Sequence, residues 1–410
     1  MAVPQLTKSI SRNNFYAYLW HAIFLALAGN FMDVDTIIPS MIIDAGGNSF
    51  HIGLLTAIML GGSSFMQIVF SPYLNNKPEK KGYLILAILL RVAALLGLGI
   101  LLFFFSQNEE FGSALLLIFL LITLFSLSGA FAAISYTDIL GKSMFEDKRK
   151  SFFSLRQALM SIGVFISAIL AAKMLKSFNY PLNYGALFIT AGVSLAIATL
   201  GFWRVKEVRS PIVKLSKLKD YFTTLKKEIS SNARLKGYLL LVNTMGISLA
   251  LLPFLMLYSK QHFNIGNEQV GQYLIFKVSA GVIAGLLVFY FSKKVKYKLM
   301  LYAIALMALF VPLHLLAFGS QQAFAIYFFI GGLIFTFYKV AMEGILLEVS
   351  SNENRAIYAG LSGAGHIVPA LFPIAGGWII HAYGFEAFFV VFITIILISF
   401  YFVRNLDCRK

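Results

Sequence analysis

The chain has 410 residues, of which 59% are hydrophobic and only 13% charged, with a mean hydropathy of +0.79. That balance excludes a soluble globular enzyme or a disordered binding module and points to a chain that crosses a lipid bilayer many times. The net charge of +16 would suit a nucleic-acid partner in a soluble protein, but here its placement gives it another meaning.

A bilayer core of about 30 Å needs roughly twenty apolar residues per helix. Runs of that kind, separated by polar or Gly/Pro-marked breaks, predict twelve helices. In the first half they are Phe15–Ile43, Ile52–Tyr73, Gly82–Phe105, Ser113–Ile139, Phe152–Leu175 and Tyr184–Arg204. In the second they are Gly237–Tyr258, Val270–Phe291, Leu299–Phe318, Ala323–Leu347, Ile357–His381 and Phe385–Val403. The expected organisation is an N-terminal six-helix bundle over 1–204, a basic cytoplasmic linker over 205–236 and a C-terminal six-helix bundle over 237–410.

Apart from Arg91, Arg156, Lys277 and Lys339, placing both termini in the cytoplasm puts twenty-seven Lys and Arg residues inside and leaves only Lys173, Lys176 and Lys260 outside. This asymmetry sets the expected topology and accounts for the net charge without nucleic acid. The first residues, MAVPQLTKSISRNN, have no apolar core ahead of a small-residue cleavage site, so no removable signal peptide is expected. A single cysteine, Cys408, allows neither an internal disulfide nor a cysteine-based metal cluster.

The linker segment VKLSKLKDYFTTLKKEI spaces Leu215, Leu218, Phe222, Leu225 and Ile229 three or four apart with lysines between them. That pattern predicts an amphipathic helix on the anionic inner leaflet. The halves also repeat weakly. At an offset of 206, DILGKSMFEDKRKSFFS (138–154) aligns with GILLEVSSNENRAIYAG (344–360), setting Ile139 on Ile345, Leu140 on Leu346 and Arg149 on Arg355. HIGLLTAIM similarly matches QVGQYLIFK, with Gly53 on Gly271.

Six plus six helices, inward termini, a basic central linker and a repeat between halves resemble the major facilitator superfamily. In the loop between the second and third helices that superfamily carries Gly-x-Leu-Ala-Asp-Arg-x-Gly-Arg-Lys. Here the place reads PYLNNKPEKK: Leu74 is kept and Lys77, Lys80 and Lys81 hold basic positions, while Pro72, Asn76 and Glu79 replace Gly, Asp and Gly. The segment YTDILGKSMFEDKRKSFFSLR (136–156) is similar to the superfamily's junction between helices four and five, which implies a gating role for Asp138, Arg149 and Arg156, with Arg355 as the repeat equivalent of Arg149. The helix-five Gly-Pro motif of drug/proton antiporters is missing from ALMSIGVFISAILAA.

Charges inside a membrane are costly and by default face a bundle interior or a transport path. The candidates are Asp33, Asp35, Arg91, Lys277, Lys339 and Glu343, with His314 and His366. In the superfamily's arrangement helices one, four, seven and ten line the central cavity, which weights Asp33, Lys339 and Glu343. On one continuous helix Asn30, Asp33, Thr36 and Ser40 form a polar stripe, and Asp35 points about 200° away from Asp33. Asp33 is then either a cavity acid or a structural ion-pair member, and Asp35 a packing counter-ion with Arg91 as its expected partner.

Lys339 and Glu343, four apart, are expected either to neutralise each other or to form a pair that substrate or protonation opens. Lys277 has no acid nearby on its own helix and needs an anion, whether Asp, Glu or substrate. His314 reads as hydrogen-bonded within the bundle, whereas His366, near Ser362 and Pro369, is open to either role. No two histidines stand at metal-ligand spacing, no phosphate loop for ATP is present, and no cofactor is expected.

The expected fold is therefore all-α: twelve transmembrane helices in two pseudo-symmetric bundles. The expected function is a secondary transporter, not an enzyme. It moves a small organic solute, anionic or zwitterionic, by proton-coupled alternating access. Asp33, Asn30, Lys277, Lys339, Glu343 and His366 would bind substrate or protons, while Asp35, Arg91, Asp138, Arg149, Arg156 and Arg355 would gate or hold the fold. Its setting would be a bacterial-type inner membrane, as a monomer in lipid. Two alternatives remain: a proton-independent facilitator or exporter of amphipathic compounds, and a non-transporting receptor or intramembrane enzyme.

Overall fold

The computed structural model describes residues 6–75, 77–105, 114–208, 229–291, 295–349 and 365–406, and among them every regular element is a helix. A bilayer offers the backbone no water, so each N–H and C=O must find its partner within the segment, which a helix provides. Among the described residues ten helical stretches are long and apolar enough to span a membrane. Two further expected spans are present in other forms. One is split into short pieces, and one is fused to its neighbour.

The first span begins with α1 (Lys8–Gly29), capped by the Thr7 side chain, which accepts from the Ile10 amide at 3.2 Å. It does not continue as one helix. A 3₁₀ turn at Asn30–Met32 leads into extended backbone at Asp33, and α2 (Ile37–Asp44) restarts only after Thr36. The second span comprises α3 (Ser49–Thr56), a π-helical segment at Ala57–Gly62 and α4 (Ser63–Asn75). Asn48 and His51 cap α3 reciprocally, each side chain meeting the other's backbone amide.

Unbroken helices follow: α5 (Lys81–Phe105), α6 (Ala114–Ser143), α7 (Glu146–Ser177) and α8 (Leu182–Arg204). The seventh span also carries a 3₁₀ turn, with α9 (Ala233–Met245), Gly246–Ala250 and α10 (Leu251–Phe263), here with right-handed helical backbone on both sides. Then come α11 (Asn267–Phe291), α12 (Tyr297–Phe318) and α13 (Ala323–Val349). The last stretch, α14 (Ile367–Arg404), holds the eleventh and twelfth spans joined at Gly384, whose φ of 83° breaks the helix. Only glycine reaches that conformation without strain. The expected amphipathic linker helix lies almost wholly outside the described residues.

The described residues form two compact units: 6–33 with 62–208, and 34–61 with 229–406. The units follow the sequence halves except at 34–61. Both unit boundaries there fall at interrupted helix, just after the 3₁₀ turn and within the π segment.

In the first unit α5 packs on α6 and α8, and α1 on α7 and α8. Small residues permit this closeness. A side chain on Gly201 would come within 2.5 Å of the Ala17 carbonyl, and one on Gly192 within 2.7 Å of Leu96. In the second unit α11 and α12 pack on α13, α9 and α3 on α14, and α2 on α10. Large apolar side chains such as Phe104, Leu116, Phe289 and Tyr290 are exposed, the surface that a lipid solvent requires.

Candidate functional site

In the first unit a polar network ties four helix ends. Lys80, buried just before α5, pairs with Asp138 of α6 at 3.0 Å, and Lys142, one turn further along α6, pairs with the same carboxylate. Glu207, beyond the end of α8, accepts from the backbone amides of Lys80 (2.8 Å) and Lys81 (2.7 Å), so a carboxylate caps the positive N-terminus of α5. The Lys81 ammonium in turn donates to the Trp203 and Val205 carbonyls, both at 2.8 Å, at the end of α8.

Asn14 of α1 donates to the Lys206 carbonyl at 2.9 Å and accepts from the Lys206 amide at 2.8 Å. Arg149 donates to the Gly141 carbonyl at 2.7 Å. Asp138 and Arg149 thus both lie at this junction, and the degenerate loop keeps an acid–base contact through its lysines. Arg355 lies outside the described residues.

Arg156 does not join that network. Its guanidinium lies over the Tyr136 ring at 5.8 Å. Arg91 lies over Phe125 at 4.2 Å and beside Gly129. In place of the expected Arg91, Asp35 meets Lys277 within the second unit. His21, absent from the sequence candidates, is buried with its Nδ1 3.3 Å from the Ala198 carbonyl and its ring against Phe202. It stands mid-way along α1, where a survey of every histidine within an apolar run would have found it.

Asn30 is buried and its amide donates to the Val164 carbonyl (2.5 Å) and the Ser167 hydroxyl (3.0 Å) of α7. The continuous stripe Asn30–Asp33–Thr36–Ser40 does not exist, since the helix unwinds from Asn30 to Thr36 and helical periodicity no longer relates those side chains. The 200° separation of Asp33 and Asp35 fails for the same reason. Asp33 is half-buried at the end of the 3₁₀ turn.

In the second unit Asp35 and Lys277 form a buried ion pair, so the anion that Lys277 requires comes from the protein. Asp44, ending α2, pairs with Lys260 of α10 at 2.5 Å. Ser49 donates to the Gly377 carbonyl at 2.9 Å, and Gly53 lies so close to Pro373 that a Cβ would fall 2.2 Å from its carbonyl oxygen. Residues 34–61 are therefore held to α10, α11 and α14 by both charge and close backbone packing.

His366 approaches the buried Tyr338 hydroxyl at 3.3 Å. Nearby Asn243 of α9 donates to the Gly365 carbonyl at 2.7 Å and accepts from the Val368 amide at 2.8 Å, fastening the start of α14. His314 meets the Tyr327 hydroxyl at 2.8 Å, the hydrogen-bonded role expected of it. Lys339 and Glu343 do not neutralise each other: both are exposed and they form no ion pair among the described residues. Four-residue spacing permits contact, but two long side chains lose rotamer freedom in making it.

A family model described as Major Facilitator Superfamily matches residues 19–318. No curated protein matches the chain. Among solved structures, the nucleoside transporter NupG is 15% identical, with a TM-score of 0.65, covering 96% of this chain and 98% of that one. A POT family transporter solved with 5-aminolevulinic acid is 12% identical, with a TM-score of 0.68 and 99% of each chain covered. A bacterial homolog of the human lysosomal transporter Spinster, in an inward-facing and unoccupied conformation, is 12% identical, with a TM-score of 0.65, covering 98% and 97%. At such identities the likeness concerns the fold. With the family model spanning most of the helices, the chain belongs to the Major Facilitator Superfamily and is a membrane transporter of that type.

Proposed function

We propose that the protein moves a small anionic or zwitterionic organic solute by alternating access coupled to protons, with Lys339 and Glu343 on the transport path. The carrying observation is the exposed stripe of α13: Phe335, Lys339, Glu343 and Leu347, four apart in sequence, all stand open. A lysine and a glutamate without an ion pair are too costly to face hydrocarbon, so this stripe faces water. In a transporter such a face is the solute pathway, with the ammonium receiving an anionic group and the carboxylate taking the proton.

The 3₁₀ turns in the first and seventh spans support this reading. Broken helices at corresponding positions of two repeats mark solute and coupling-ion sites in transporters, and Asp33 lies at one break. His366, beside Tyr338, is the second titratable group assigned to this path. Asn30 and Lys277 are both engaged by protein partners, which leaves them a supporting role, each within its own unit, in this reading. The proposed setting is a bacterial-type inner membrane with both termini cytoplasmic and the monomer as working unit.

The deciding test is flux in proteoliposomes. Uptake of anionic and zwitterionic solutes is measured with and without an imposed pH gradient, in the wild type and in Lys339→Ala and Glu343→Gln. Gradient-driven flux lost in Lys339→Ala, and uncoupled from the gradient in Glu343→Gln, is the expected result. The paired state of Asp35 and Lys277 favours a second reading, a proton-independent facilitator or exporter of amphipathic compounds whose charges only hold the fold. Flux that ignores both the gradient and the two substitutions selects it.

A further inference from the structure

We infer that Arg91 and Arg156 form a two-point receptor for a dianionic organic solute, within the first unit and on one face of α6. Both arginines stand ten residues after the first residue of their helices, α5 and α7. The two helices are the third and fifth spans, which run in the same sense across a membrane; Arg91 stands nine residues into the apolar run Gly82–Phe105 and Arg156 four residues into Phe152–Leu175, so Arg91 lies near mid-depth and Arg156 about 8 Å nearer one face.

They share a wall. Arg91 stacks on Phe125 and lies beside Gly129, where a Cβ would come 3.6 Å from the guanidinium carbon, while Arg156 stacks on Tyr136. Positions 125, 129 and 136 fall within about 40° of one another around a helix, so they make one stripe of α6. The His21 ring lies 6.2 Å from Tyr136, which places it at the same stripe.

Structural arginines within an apolar run are expected to pair each with a carboxylate. Here neither forms an ion pair with a described acid, and each Nε is buried without a hydrogen-bond partner. Two like charges with orphaned donors in the membrane interior are costly. A ligand bearing carboxylate or phosphoryl oxygens offsets that cost, because the guanidinium fork matches those groups in pairs. The aromatic faces of Phe125 and Tyr136 hold the guanidinium planes while the edges remain for the ligand. Gly129 and Tyr136 are seven residues, about 10 Å, apart along α6, so a solute with two anionic groups meets both arginines.

This inference rests on the transporter reading for its purpose but not for its test. Thermal stabilisation of the detergent-purified full chain is titrated with suberate and azelate, dicarboxylates long enough to reach both arginines, and with suberamide and azelamide as neutral counterparts. Saturable stabilisation by a charged probe and none by its neutral counterpart is expected, because a native-state ligand raises the melting temperature. Arg91→Gln and Arg156→Gln should each weaken the probe at least tenfold, and Arg12→Gln, on exposed α1, should not. If the glutamine variants fail to fold, Arg91→Lys and Arg156→Lys keep the charge, lose the fork and should still weaken the probe severalfold.

Absence of binding by both charged probes, equal binding of neutral counterparts, or full affinity in the arginine variants overturns the receptor. Binding without flux of the bound probe would leave the receptor standing and sink the transport reading. Flux that is indifferent to both arginines would do the reverse.

Discussion

Asp35 and Lys277 form a buried ion pair that joins the turn after the first broken helix to the middle of α11. The pair explains why a lysine can sit mid-helix in the sequence YLIFKVSAG: its charge is answered from 242 residues away in the chain. With Asp44–Lys260 it gives residues 34–61 two electrostatic anchors on the second unit.

Breaking such a pair leaves an uncompensated buried charge and costs roughly 3–5 kcal/mol. Asp35→Asn and Lys277→Met are each expected to lower the melting temperature of the purified protein strongly, and the double variant to lose much less than the sum of the two. Additive losses would show that the two side chains do not interact.

Glu207 holds the N-terminus of α5 through three hydrogen bonds to the Lys80 and Lys81 amides. Hydrogen bonds to a charged group contribute about 1.5–3 kcal/mol, so Glu207→Ala is expected to destabilise by that order, and Glu207→Gln, which retains an acceptor, by less. Denaturant or thermal unfolding of the two variants side by side reads the difference. Equal stability of Glu207→Ala and wild type would refute the cap.

Gly53 and Gly237 should respond oppositely to alanine. At Gly53 the new methyl meets the Pro373 carbonyl at 2.2 Å and the Gly377 Cα at 3.3 Å, so overpacking is expected to cost about 1–3 kcal/mol. At Gly237, inside α9, nothing stands within 4 Å, and the higher helix propensity of alanine is expected to add up to about 1 kcal/mol of stability. Melting temperatures in one detergent test both signs.

Lys339→Ala and Glu343→Gln alter exposed side chains without ion pairs, so their stability is expected to stay within about 0.5 kcal/mol of wild type. Flux, by contrast, is expected to fall at least tenfold in Lys339→Ala. Normal flux in a normally folded variant would remove Lys339 from the transport path.

The twelve spans could be read from the chain because the bilayer imposes a length and a composition on each helix independently of its neighbours. Gly384 at the last reversal and the capped start at Asn48 carry local signals of the same kind. The break from Asn30 to Thr36 carries no such signal. Its residues have no proline, and LALAGNFMDVDTIIPSM has the hydropathy of one unbroken run. There the helix gives up its own hydrogen bonds where Asn30 binds α7 and Asp35 meets Lys277, contacts that lie 134 and 242 positions away along the chain.

The sequence by itself determined the solvent, the number of helices and the set of charges that demand an explanation. All of these follow from the cost of placing single groups in hydrocarbon, which depends on residue type and local run length. Tertiary structure alone decided which charge answers which: Lys277 takes Asp35, Lys80 takes Asp138, Glu207 caps α5, and Arg91, Arg156, Lys339 and Glu343 carry no ion pair among the described residues. Coulombic pairing falls off over a few ångströms, and only packing of distant helices through small residues brings side chains that close.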